Sequence, residues 1–150
     1  MPRQRWQQAE DDFQEHWRQF GKHAYCFAFH DTREAMGATG SRRVYTSEQP
    51  ADFLVTFDGQ TFFAEVKSSQ NATSFPLADL RASQTSTSIV VEAAGGQYFF
   101  FLKNETEGRW YQIPGHVLVS LRKAGIKSVK WGDLKQFEVF NFPGGRQALV

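Results

Sequence analysis

Hydrophobic and polar positions along the chain switch period several times. Trp6, Phe13, Trp17 and Phe20 recur at helical spacing, which predicts an amphipathic helix over roughly Arg5 to Phe20, ended by Gly21, with Glu10 between Trp6 and Phe13 on the apolar face. "AYCFAFH" (24 to 30) reads as a first strand, followed by a polar, Gly-containing loop through Gln49. Two apolar runs then flank Asp58-Gly59, the strongest short signal for a two-residue hairpin, and predict strands at about 52 to 57 and 61 to 67. "SSQNATSFP" reads as a loop. A helix is expected to start near Leu77 and stop at Gly95-Gly96, because Leu77, Leu80, Gln84, Thr87 and Val91 form a stripe, although "TSTSIVV" is strand-like by propensity. "QYFFFL" and "RWYQIP" predict a strand pair around "KNETEG", and "GHVLVSLRKAG" a helix. A short turn of helix near Asp133 and a final strand, "FEVFNF", complete the pattern. With no internal repeat or linker, this order suggests one compact domain over residues 1 to 150: an α/β layer around a mixed central sheet flanked by helices.

The hairpin raises a question of charge. A two-residue turn pairs Phe57 with Gln60, so Asp52 falls directly opposite Glu65, where like charges are destabilising. Lys67 shares their face by the period of the strand. A slip of one residue would send Asp52 to the wrong face. Two carboxylates and one ammonium so placed match a divalent cation with hard oxygen ligands. The alternative is a solvent-exposed hairpin face carrying a Lys-Glu pair. Glu10, a carboxylate on an apolar helix face, is poorly placed unless it meets a cation, although helix ends often expose such residues.

Composition adds limits. At 150 residues the chain can build a substantial core, and its fifteen Phe supply large groups for it. The net charge of +1 makes the chain no polycation, so affinity for a polyanion must come from local patches. Arg122, Lys123, Lys127 and Lys130 form one basic cluster and Arg3, Arg5, Arg42 and Arg43 a second; a solvated surface is the plain alternative. Cys26 is the only cysteine, which excludes an intrachain disulfide, fits a reducing, cytoplasmic compartment, and reads first as a buried strand residue. No run is long enough to span a membrane. His16, His23, His30 and His116 lack metal-ligand spacing, and no Gly-rich phosphate loop or Ser nucleophile motif is present.

Helix Glu, strand Asp in "PAD", then "EVK" is a pattern that resembles the PD-(D/E)XK nuclease superfamily, with Glu10, Asp52, Glu65 and Lys67 at its motif positions. "EVKSSQNATSFPLADLRASQ" resembles the matching block of the RecU family of Holliday-junction resolvases, and "RKAGIKSV" resembles that family's Gly-Arg-Lys-Ser segment; together these cover most of Asp52 to about Val129. The resemblance implies a restriction-endonuclease-like core and a Mg²⁺-dependent endonuclease, with one or two ions per site and Mn²⁺ able to substitute. It implies a metal shell of Asp52, Glu65, the Val66 carbonyl and Glu10, with Lys67 orienting or deprotonating water and Gln84 positioning Lys67 or the water. Thr73 and Ser74 would touch the scissile phosphate, or cap the next helix. Arg33, Arg42, Arg43, Arg81, Arg122, Lys123 and Lys127 are the further DNA-binding candidates. The implied partners are a four-way DNA junction and a second copy of the chain, within recombination and repair of cellular or viral DNA. Only 21 residues separate His30 from Asp52, fewer than the projecting stalk of such enzymes needs. A less structure-selective DNA endonuclease of the same superfamily and a non-catalytic DNA-binding module are the alternatives.

Overall fold

A computed structural model of the protein describes residues 4–29 and 49–148. Helix α1 (Arg5–Arg18) leads through a 3-10 turn (Gly21–His23) into β1 (Ala24–Ala28). The hairpin β2 (Phe53–Phe57) and β3 (Gln60–Ser69) follows, then β4 (Ser74–Pro76), a 3-10 turn (Leu77–Asp79) and α2 (Ala82–Ala93). Next come β5 (Tyr98–Asn104), β6 (Arg109–Pro114), α3 (Gly115–Lys123), β7 (Ser128–Lys130), a 3-10 stretch (Trp131–Phe137) and β8 (Glu138–Val139).

The main sheet runs β1-β2-β3-β5-β6-β8, and all its pairings are antiparallel except β3 with β5. Asp58 and Gly59 both take positive φ, 52° and 75°, as a primed hairpin turn requires. The resulting register pairs Phe57 with Gln60 and Phe53 with Ala64, as the sequence predicts. Strand alternation then divides the core between the two faces of the sheet. Phe53, Val55, Phe62, Ala64, Val66, Phe101 and Trp110 meet Ala9, Phe13 and Trp17 of α1. Tyr98, Phe100, Leu102, Tyr111 and Ile113 meet Leu77, Leu80 and Leu118 on the other side. The arrangement is a mixed α/β layer with a central mixed sheet flanked by helices.

Several expectations are corrected. Trp6 lies 55% exposed, off the buried face of α1 formed by Ala9, Phe13, His16 and Trp17. The second helix starts at Ala82, not near Leu77, because Leu80 and Arg81 are extended (ψ 123° and 148°), which lets Leu80 bury itself against the sheet. The strand propensity of "TSTSIVV" is overridden, since that segment is α2. Part of the "SSQNATSFP" loop is β4, which pairs with the unanticipated β7. The final strand holds only Glu138 and Val139: Asn141 adopts φ 71°, breaks the ladder and turns Phe142 back into the core.

Candidate active site

Asp52, one residue before β2, has its backbone and its side chain both fixed. The Phe29 N–H donates to its carbonyl at 2.9 Å, and the Tyr98 hydroxyl donates to the carbonyl of Pro50 at 2.9 Å. Its Oδ2 accepts the Val66 N–H at 2.9 Å across the hairpin. Ala51, between these anchors, is buried against Leu77 and Leu80. Continuation of the β2–β3 register sets Asp52 opposite Glu65, and the two carboxylates lie within hydrogen-bonding reach of each other.

Glu65 is 3% exposed, in the middle of β3. Its Oε1 accepts from Gln84 Nε2 at 2.7 Å and lies 3.8 Å from Lys67 Nζ. Gln84 is held in turn, because its Oε1 accepts the Arg81 N–H at 3.1 Å at the start of α2. The Gln84 amide thus fixes the carboxylate of Glu65, which in turn lies beside Lys67, with its own orientation set by the helix start. Glu10 reaches the same place from α1, also within hydrogen-bonding reach of Asp52.

Burial first, then the Asp52 charge, pushes the Glu10 carboxyl up to about 8, and Lys67 only partly opposes this. The same causes in the same order hold Glu65 well above the ordinary carboxylate range. Three carboxylates beside one ammonium are short of positive charge, and the protein meets the deficit by retaining protons. Among the described residues no group of three or more His, Cys, Asp and Glu side chains is set to hold an ion as it stands. Mg²⁺ requires less, since it is commonly bound by one or two carboxylates, with water and substrate phosphate completing the octahedron. Asp52 and Glu65 supply those two hard-oxygen groups, and the charge deficit around them is what a cation would relieve. The donor set therefore fits a divalent ion.

The second half of the resemblance is also brought together. β4 pairs with β7 so that Ser74 lies opposite Lys130, and the Leu77 N–H donates to the Lys127 carbonyl at 2.9 Å. "TSFPL" and the basic "RKAGIKSVK" segment thus form one surface, with Lys123, Lys127 and Lys130 exposed. The Arg122 guanidinium is half-buried and donates to the Leu80 carbonyl, fastening α3 to the lead-in of α2. Arg81 and Arg5 are exposed. Thr73 and Ser74 do not cap the next helix. Their N–H groups both donate to Asn71 Oδ1, at 3.0 and 3.1 Å. Arg3, His30, Arg33, Arg42 and Arg43 lie outside the described residues. Sequence reasoning missed Tyr98 and Asn71. Tyr98 sits in a run of aromatics where nothing marks one hydroxyl as an anchor, whereas Asn71 is a turn-former whose signal was legible.

The remaining singled-out residues are structural. His16 is buried, stacked on Phe142 at 3.7 Å between ring centroids, and burial lowers its pKa. Burial pushes the Cys26 thiol up to about 12, away from nucleophilic use.

No known family profile matches the chain, and no curated protein sequence matches it. Among solved structures, the chain is similar to Hjc of Archaeoglobus fulgidus, a Holliday junction resolvase from an archaeal hyperthermophile. The TM-score is 0.53 at 13% identity, covering 87% of this chain and 92% of that one. The protein therefore has the restriction-endonuclease-like fold of a Holliday junction resolvase.

Proposed function

We propose that residues 1 to 150 form a metal-dependent endonuclease domain of the PD-(D/E)XK type that hydrolyses phosphodiester bonds of branched DNA, resolving four-way junctions by paired symmetric nicks as a homodimer. The observation that carries this reading is the meeting of Asp52, Glu65 and Lys67 at one end of a hairpin, on a fold shared with a junction resolvase.

Asp52 and Glu65 would hold Mg²⁺, or Mn²⁺ in its place, with the Val66 carbonyl and Glu10 completing the shell. When bound, the ion supplies Lewis-acid polarisation of the phosphate and a more acidic water, and a second ion would clamp the leaving oxygen. The chain's own residues perform the remaining tasks. Gln84 fixes the orientation of Glu65. Lys67 orients the attacking water or takes its proton, and offsets charge on the phosphate. Ser74 begins the strand that β7 holds beside the basic segment, with Thr73 just before it, where exposed Lys123, Lys127, Lys130 and Arg81 would meet backbone phosphates. Such contacts give salt-sensitive affinity without reading sequence.

The test is cleavage of a labelled four-way junction beside a linear duplex of the same arms, with Mg²⁺. Selective paired nicking is expected. Equal cutting of both substrates would favour a less structure-selective nuclease, and binding without cutting in any divalent metal would favour a non-catalytic module. Asp52→Asn and Lys67→Ala are each expected to reduce cutting at least about a hundredfold while junction binding persists. Cutting that survives both substitutions refutes the site.

A further inference from the structure

The basic segment that begins at the end of α3 is fastened to the lead-in of α2 at two points. The Leu77 N–H donates to the Lys127 carbonyl at 2.9 Å, and the Arg122 guanidinium donates to the Leu80 carbonyl. Between those points the Leu80 N–H closes a 3-10 turn on the Leu77 carbonyl at 3.2 Å, and both leucines are buried. The second fastening falls on a particular peptide group. The Leu80 carbonyl and the Arg81 N–H belong to one planar unit, so whatever points the first also points the second. That N–H donates to Gln84 Oε1 at 3.1 Å, and Gln84 Nε2 donates to Glu65 Oε1 at 2.7 Å. Hydrogen bonds in series therefore run from a guanidinium on α3 to a carboxylate in the middle of β3.

We propose that Arg122 is a positioning residue for Glu65, acting through the Leu80–Arg81 peptide and the Gln84 amide to hold the carboxylate in place for a divalent ion. The first amides of α2, those of Gln84 and Thr85, both donate to the Arg81 carbonyl, so the helix ladder leaves the Leu80 carbonyl to Arg122. Without that donor the carbonyl would turn toward water and take the Arg81 N–H with it. A Gln amide can present either its oxygen or its nitrogen. The Arg81 N–H claims the oxygen, which leaves the nitrogen for Glu65. An ionised donor also polarises the peptide it bonds, and bonds in a chain strengthen one another. The lysines proposed to meet DNA phosphates, Lys123 and Lys127, stand on the same segment, so substrate surface and acidic site share one scaffold. The consequence for metal rests on the proposed function, whereas the relay from Arg122 to Gln84 does not.

The experiment is calorimetric titration of the whole chain with Ca²⁺, a non-activating ion, in the absence of DNA, so that phosphate contacts play no part. Arg122→Met keeps much of the aliphatic stem and should weaken Ca²⁺ binding about tenfold, and Gln84→Ala at least as much. The sign is diagnostic, because loss of a positive charge would by itself favour a cation. Arg122→Lys can still donate to the carbonyl and should recover most of the affinity, and Lys135→Met, at an exposed lysine, should leave it unchanged. On a Gln84→Ala background, Arg122→Met should cost less than about a further twofold. Undiminished affinity in Arg122→Met overturns the proposal, as does a full loss on top of Gln84→Ala. Arg122→Gln serves if Arg122→Met does not fold. A second readout needs no metal: in nitrogen-15 spectra the Gln84 side-chain amide protons should exchange at least about fivefold faster in Arg122→Met than in the parent. A parent that binds no Ca²⁺ removes the metal reading, and equal exchange rates then overturn the relay as well.

Discussion

Glu10 and Glu65 retain protons that they would release in an unfolded chain. A carboxyl whose pKa is raised by folding makes the native state the better proton binder, so its stabilising effect is present at low pH and is lost as pH rises toward the folded value. For Glu10 that window runs from the ordinary carboxylate range up to about 8. The metal-free protein should therefore lose thermal stability as pH rises from about 5 to about 8. Glu10→Gln and Glu65→Gln should each flatten the profile. Mg²⁺ or Ca²⁺ should raise the melting temperature more at the alkaline end, where protons no longer compete for the carboxylates. A melting temperature that climbs across this range, or that metal leaves unmoved throughout, contradicts the crowding of acids at Asp52. Tyr98 admits a separate test. Tyr98→Phe removes the hydrogen bond to Pro50 and should cost about 1 kcal/mol of stability. If the bond aligns Asp52, the variant should also need a higher metal concentration for half-maximal binding, measured calorimetrically with a non-activating ion. Much of this scale was legible in the sequence. The Asp58-Gly59 turn fixed the register, and the register put Asp52 opposite Glu65. The partner of Gln84 was not legible, because a side chain's contact depends on where its helix begins, and that start was misplaced by five residues, from Leu77 to Ala82.

At the scale of elements, the site depends on how α2 is seated. α2 packs against α3 through a small-residue contact, Ser88 on Gly115, and a Cβ at Gly115 would lie 1.9 Å from Ser88 Oγ and 2.9 Å from Glu92 Oε1. Glu92 also accepts the His116 N–H at 3.2 Å, a carboxylate at the positive end of α3. Gly115→Ala should force the helices apart, cost roughly 1 to 3 kcal/mol and, on the proposed function, lower cleavage by displacing Gln84 from Glu65. Adding Ser88→Ala should recover part of the loss, since the Ser88 hydroxyl finds no hydrogen-bond partner and its removal leaves the Ser88 Cβ at 3.2 Å and Glu92 Oε1 at 2.9 Å, the end of a flexible side chain. An additive double mutant, measured by chemical denaturation, would show that the two residues are not coupled. Period and turn chemistry located the elements but not their tertiary adjustments. Leu77 and Leu80 are buried as an apolar stripe suggests, yet from a 3-10 turn and an extended residue rather than from the helix. "FEVFNF" alternates as a strand should, and is cut short by the left-handed backbone of Asn141.

Across the whole molecule, the sheet distributes tasks by face and by strand direction. α1 covers one face, while α2 and α3 cover part of the other, and the parallel pairing of β3 with β5 sets Glu65 beside Phe100 and Lys67 beside Leu102. The deep core around β5 thus supports the candidate site on its neighbour. A net charge of +1 conceals a separation of surfaces: lysines at the β4–β7 corner and none on the aromatic rows of β1, β2 and β3. The mixed sheet was readable from element order alone, because strand runs interrupted by helical ones call for a crossover. The corner formed by β4 and β7 was not, since three-residue strands fall below any periodic signal. Among the described residues nothing pairs with the outer edge of β1, and that rim also affects how the protein behaves when concentrated or heated. "AYCFA" holds no lysine or proline to discourage further strands from adding, so a population of partly opened chains would be prone to templated fibril growth. Losses of material in storage would then begin at this rim and not at the acidic pocket.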